Sequence, residues 1–192
     1  MMKWIPVAMV LLLSACSRTP ETTYYQLPAL AHSVPANTSL LKEAGSGRHV
    51  LWIEHVAVPD YLAGNGVVYQ TNDVQYVIAA NNLWASPLDQ QLQQTLVSNL
   101  SASLPSWVIS SSPLGQQHDT LNVNVTGFHG RYDGKAIISG EWVLEHEGEL
   151  IKRPFMISLA QDDDGYDALV RTLAEGWRQQ AQQIANALSG IN

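Results

Sequence analysis

The chain has a single cysteine, Cys16, so no intramolecular disulfide can form, whatever the redox state of its compartment. It also lacks a long apolar run. The stretch Ile5 to Leu13 (IPVAMVLLL) holds nine residues, whereas a bilayer core about 30 Å thick needs roughly 20. Positive charge is scarce: Lys and Arg number 10 against 17 Asp and Glu, for a net −7. That balance argues against nucleic acid and phosphate-rich headgroups as general partners.

Signatures of chemistry are missing as well. There is no G-x-S-x-G elbow and no H-E-x-x-H, and Gly45-Ser46-Gly47 is not followed by the Gly-Lys-Ser/Thr of a phosphate loop. His49 and His55 are six residues apart on a predicted strand, hence roughly 20 Å apart, too far to share an ion. His146-Glu147-Gly148-Glu149 falls on a predicted hairpin turn without metal-ligand spacing. His118-Asp119 beside several serines could supply parts of a triad, but surface-loop residues of this kind are common. The sequence therefore predicts no catalytic residue and no metal site.

What is present at the N-terminus is specific. Lys3 gives a short positive region, the nine apolar residues follow, and Leu13-Ser14-Ala15-Cys16 closes the segment. A branched apolar residue, two small residues and then a thiol form the pattern of a lipoprotein signal. The thiol is the only nucleophile there able to carry a thioether-linked diacylglycerol. Residues 1–15 are thus expected to be removed as a signal peptide, leaving Cys16 with a covalent N-acyl and S-diacylglycerol lipid and no other cofactor. Two or more acyl chains hold a protein stably on a membrane, at about 0.8 kcal/mol per buried methylene. Ser17 and Arg18 follow, without the Asp that commonly retains lipoproteins at the inner membrane, so the periplasmic side of the outer membrane is the expected location.

Residues 16–48 read as a lipidated N-terminus and flexible tether with a short strand at 24–27, and residues 49–192 as one α+β periplasmic domain. Strands are expected at 49–58, 67–71, 74–79 (ended by Asn81-Asn82) and 107–110. A helix should begin at Ser86-Pro87, with Ser86 as its cap and Leu88, Leu92, Leu96 and Leu100 on its apolar face. Leu121, Val123 and Val125 alternate with polar residues until the phase slips at Gly127, the mark of a β-bulge. Asp133-Gly134 predicts a two-residue hairpin turn. Ala136 to Leu144 form the return strand, Glu147-Gly148 turns again, and Pro154 suggests an edge in 150–159. The last helix, about 166–188, has Leu169, Val170, Leu173, Trp177, Ala181, Ile184 and Leu188 on one half. Trp52, Trp107, Trp142 and Trp177 are core candidates. The fold expected is a largely antiparallel sheet with two amphipathic helices on one face, in strands–helix–meander–helix order. Tyr61, Leu62 and Trp84 lie near turns, where they either meet a partner or fold back on the core.

The segments Leu13 to Cys16, Tyr24-Tyr25-Gln26-Leu27, Pro59-Asp60-Tyr61-Leu62-Ala63-Gly64, Asn82-Leu83-Trp84-Ala85-Ser86-Pro87-Leu88, Gly130-Arg131-Tyr132-Asp133-Gly134 and Ser139-Gly140-Glu141-Trp142 carry a resemblance. In these the chain resembles the ABC-type transport auxiliary lipoproteins. The resemblance implies a non-catalytic component of an intermembrane lipid-transport system, working with an MCE-domain protein that forms a tube across the periplasm and, through it, an inner-membrane partner. It further implies a homo-oligomer matching the tube's rotational symmetry. Two other roles remain open: a carrier holding acyl chains between sheet and helices, and a hydrolase, which would need a nucleophile and base within hydrogen-bond reach.

Overall fold

The computed structural model describes residues 21–28, 49–115 and 117–191. The expected signal peptide, Cys16 and most of the tether lie outside the described residues.

One long strand organises the sheet. β6 (Asp119–Arg131) pairs along one whole edge with antiparallel β7 (Lys135–His146), and β8 (Glu149–Ala160) continues that meander. Two strands share the other edge of β6. β2 (Val50–Ala57) runs parallel to its first half, from Leu51↔Asp119 to Ala57↔Asn124, and β3 (Gly66–Gln70) runs parallel to its end, at Tyr69↔Gly130 and Gln70↔Arg131. β5 (Val108–Ser110) lies outside β2, parallel to it. On the β3 side, β4 (Tyr76–Trp84) returns antiparallel, and β1 (Thr23–Tyr25) adds in parallel at Thr23↔Asn82, Tyr24↔Leu83 and Tyr25↔Trp84. The fold is α+β, as the patterning predicts. Its longest ladders are antiparallel and four shorter pairings are parallel.

Local chemistry explains most boundaries. Val125 pairs with Gly140 and Gly127 with Ser139, leaving Thr126 as the bulged residue. The bulge returns Phe128 to the buried face shared by Leu121, Val123 and Val125. The first hairpin loop has three residues, Tyr132 to Gly134, rather than two, because Arg131 pairs with Lys135 and Gly134 takes the left-handed position at φ 75°. Glu147 and Gly148, both at positive φ, form the tight two-residue turn expected. Pro154 stands on β8, which pairs only with β7, so the missing amide costs no ladder bond. β4 runs on through Asn81 and Asn82 instead of ending there, since β1 supplies a partner strand at that point.

Three helices complete the fold. α1 (Asp60–Ala63) is a single turn. α2 (Leu88–Ser103) buries Leu88, Leu92, Leu96 and Leu100 to 1% exposure or less. Ser86 makes no side-chain cap. Instead the Gln91 amide donates to the Ser86 carbonyl at 2.8 Å, and its oxygen accepts from the Leu27 amide at 2.8 Å. Residues 23–28 therefore belong to the folded body rather than to a free tether, and Leu27 is buried. α3 (Tyr166–Ser189) packs beside α2 and over β6, β7 and β8. Gly176 lets it approach the sheet, because a side chain there would run into Ile138.

The core lies between the sheet and α2 and α3. Trp177 is 1% exposed at its centre. Its ring meets Phe128 edge-on and Phe155 at a tilt, and its Nε1–H donates to the Leu92 carbonyl of α2 at 3.1 Å. Trp107 and Trp142 are buried too, while Trp52 is only partly covered.

Candidate functional site

The sequence points to one covalent site and one surface. Cys16, the expected lipidation site, lies outside the described residues. The surface residues can be placed. After Pro59, the one-turn helix α1 closes with the Leu62 and Ala63 amides donating to the Pro59 carbonyl, at 2.9 and 3.0 Å. This turn drives Leu62 into the core at 1% exposure. Trp84, the last residue of β4, is 4% exposed, with its ring 6.3 Å from that of Phe128. Side chains this enclosed offer no surface to a partner in this conformation. Their position beside turns hides this in the sequence.

Tyr61 is half-buried, and its hydroxyl is occupied. It donates to the carbonyl of Thr126, the bulged residue of β6, at 2.8 Å. Burial, and secondarily Tyr76, pushes the phenol up to about 12, so it stays a donor at any physiological pH. Tyr61 thus closes the acceptor that the bulge leaves without a ladder partner. Its ring packs on Tyr76, which meets the buried His129 edge-on at 5.1 Å. Burial is the main cause holding the His129 imidazole below its ordinary value, and nearby Arg131 acts in the same direction. Tyr61, Tyr76 and His129 form a partly exposed aromatic cluster at the start of β4. A Tyr61→Phe variant should lose about 1 kcal/mol of unfolding free energy, the usual net worth of one hydrogen bond. Urea unfolding measures it, and an unchanged midpoint would show the bulge carbonyl finds another donor.

The candidate triad does not assemble. Asp119 is bonded to His146, whose Nδ1 lies 3.0 Å from both carboxylate oxygens across the β6–β7 ladder. His118 instead meets the edge of Trp52. Among the described residues no group of three or more His, Cys, Asp or Glu is placed to hold a metal ion. An open groove of about 540 Å³ lies at the start of α3, lined by Tyr69, Leu169 and the run Asp162 to Gly165. Asp162, Asp163 and Asp164 line it, with no His, Lys or Arg among the lining residues.

A different feature emerges on the β3–β4 hairpin. Val74, at its tip, is 77% exposed, and Tyr76, Val77 and Ile78 on β4 are 44, 49 and 51% exposed. Among the described residues the sheet beyond β4 has only β1, which reaches Asn82 to Trp84. Residues 76–80 therefore form an apolar strand with an open edge. The sequence reads 74–79 as a strand, but nothing in it shows that its outer edge is uncovered.

No helix among the described residues is long and apolar enough to cross a membrane. A polar α+β body behind an N-terminal lipobox is the make-up of an accessory lipoprotein. The chain belongs to the family of ABC-type transport auxiliary lipoprotein components, which matches residues 25–185. Within it, the chain is 56% identical over 192 residues to the intermembrane transport lipoprotein PqiC of Escherichia coli (strain K12), covering 100% of both chains. The protein of the same name from Shigella flexneri matches to the same extent. A crystal structure of an uncharacterized protein, 60% identical, superposes with a TM-score of 0.77 over 88% of this chain and 99% of that one. A Xanthomonas campestris protein only 15% identical shares the fold, at a TM-score of 0.64 over 88% of this chain and 100% of its own. The chain is a lipoprotein of a transport system.

Proposed function

We propose that this protein is a non-catalytic, outer-membrane lipoprotein of an intermembrane (phospho)lipid transport system. It receives the outer-membrane end of a periplasm-spanning, PqiB-like MCE protein, which connects in turn to a PqiA-like inner-membrane partner, and so supports membrane integrity. The observation that carries this reading is identity of 56% along the entire chain to intermembrane transport lipoproteins, with no unmatched domain on either side. The lipid on Cys16 supplies the hold on the membrane, and Ser17 at the next position favours sorting outward. A protein that caps a tube is expected to repeat around the tube's axis, which makes a closed homo-oligomer the natural form.

The carrier alternative has less support. The space between the sheet and α2 and α3 is filled by Leu51, Ile53, Leu121, Phe128, Ile138 and Trp177, each no more than 1% exposed. Purification of the lipidated chain from membranes in mild detergent tests the proposal. An MCE-domain protein should co-purify in fixed ratio, and the lipoprotein recovered alone under conditions that keep such a tube intact would count against docking.

A further inference from the structure

We propose that the tip of the β3–β4 hairpin, with Val74, Tyr76, Val77 and Ile78, rests on the lipid surface that holds Cys16. The inference depends on the lipid-anchor reading above and adds an orientation to it.

The direction of β1 carries the argument. β1 runs parallel to β4 and pairs only with its last three residues, Asn82 to Trp84. A parallel neighbour starts on the same side as its partner, so Glu21 and Thr22, which lead into β1, approach from the side where β4 starts, which is the hairpin tip. Cys16 precedes Thr23 by seven residues. Counting seven back from Asn82 along β4 reaches Gln75, in the tip turn. At about 3.3 Å per residue both paths span about 23 Å, so even a fully extended connection sets the lipid no farther from β1 than the tip itself. The membrane surface that holds the lipid then lies within about 23 Å of Thr23, a reach that includes the hairpin tip.

The chemistry at that place suits it. Val74, Val77 and Ile78 are exposed aliphatics beside a half-exposed Tyr76, the aromatic type that favours the headgroup boundary. Between residues 71 and 80 the only charge is Asp73, and Arg131, beside Gln70 at the foot of the hairpin, is paired with Asp133 at 2.7 Å. The contact is then apolar rather than electrostatic, and it should not require anionic lipid. It also covers an open strand edge that would otherwise invite pairing with another chain.

The test uses the full lipidated chain in vesicles of phosphatidylcholine and phosphatidylethanolamine. In the mature protein the Cys16 thiol is consumed as a thioether, so an introduced cysteine is the only reactive thiol. Val74→Cys, Val77→Cys and, as a control on the far side of α3, Gln183→Cys are labelled with an environment-sensitive fluorophore and challenged with lipids spin-labelled near the headgroup. The hairpin probes should shift to the blue and lose most of their emission to the quencher, with no change on adding salt, while the Gln183 probe stays bright. Hairpin probes that stay in water overturn the orientation and leave the anchor standing. Hairpin probes that shift without being quenched show that a second copy covers the edge, which also overturns it. A parent chain that itself takes the label has a free Cys16, and then the anchor reading fails and takes the inference with it.

Discussion

A chain with Cys16 replaced by Ala, exported behind a secretory signal whose cleavage needs no thiol, is expected to leave the membrane fraction and appear in the soluble periplasm. The separate signal matters, because an uncleaved Ile5 to Leu13 segment would itself hold the protein at the inner membrane. The effect should be close to complete. Two or more acyl chains at about 0.8 kcal/mol per buried methylene outweigh by far what an exposed patch of a few aliphatic side chains contributes. The body should remain folded, since the core described is built from residues between Leu27 and Leu188. Fractionation with a thermal or urea unfolding control separates the two readouts. Retention in the outer-membrane fraction at the native level would mean that something other than lipid holds the protein there.

The second large effect concerns stability. Trp177→Ala should cost about 3–5 kcal/mol, as large-to-small changes of buried aromatics do, against a total that for most domains is about 5–15 kcal/mol. Trp177 joins three elements at once: it packs on Phe128 of β6 and Phe155 of β8 and donates to the Leu92 carbonyl of α2. Truncation leaves a cavity lined by the sheet and both long helices and removes a hydrogen bond that links those helices. Trp177→Phe keeps most of the volume and should lose less. Urea unfolding of both variants measures the difference, and an alanine variant within about 1 kcal/mol of the parent would show that the core refills around the gap.

Elements whose signal is local were legible in the sequence. The 3.6-residue stripe from Leu169 to Leu188 set the last helix within a residue of its observed end. Alternation in 121–125 and 136–144, broken by a phase slip, gave the meander and its bulge. Long-range pairings were not legible. Ile53 pairs with Leu121 in parallel across 68 positions, and no turn residue or periodicity records such a partner. The same gap explains the strand through Asn81 and Asn82, two residues of poor strand propensity held there by β1. Tyr61, Leu62 and Trp84 were read as partner-facing or folded back on the core because their neighbours in sequence are turns; in space Leu62 and Trp84 are enclosed by the core and Tyr61 is half-buried. Tyr61 is fixed by a bulge carbonyl 65 residues away. The exposed hairpin was missed for the converse reason: a strand rich in valine and isoleucine looks buried until its outer neighbour proves to be three residues long.

The sharing of one edge of β6 by β2 and β3 has a consequence for biogenesis. A chain is made N-terminus first, so residues 50–70 are present well before 119–131, the strand both must pair with. Until then β3 has only β4 beside it and β2 only the short β5. Completion of the sheet must wait for Asp119–Arg131 and the meander that follows, and folding dominated by such distant pairings is slow. During that interval the unpaired edges of β2 and β3 are open to other chains, and a cut after residue 118 would part both strands from β6.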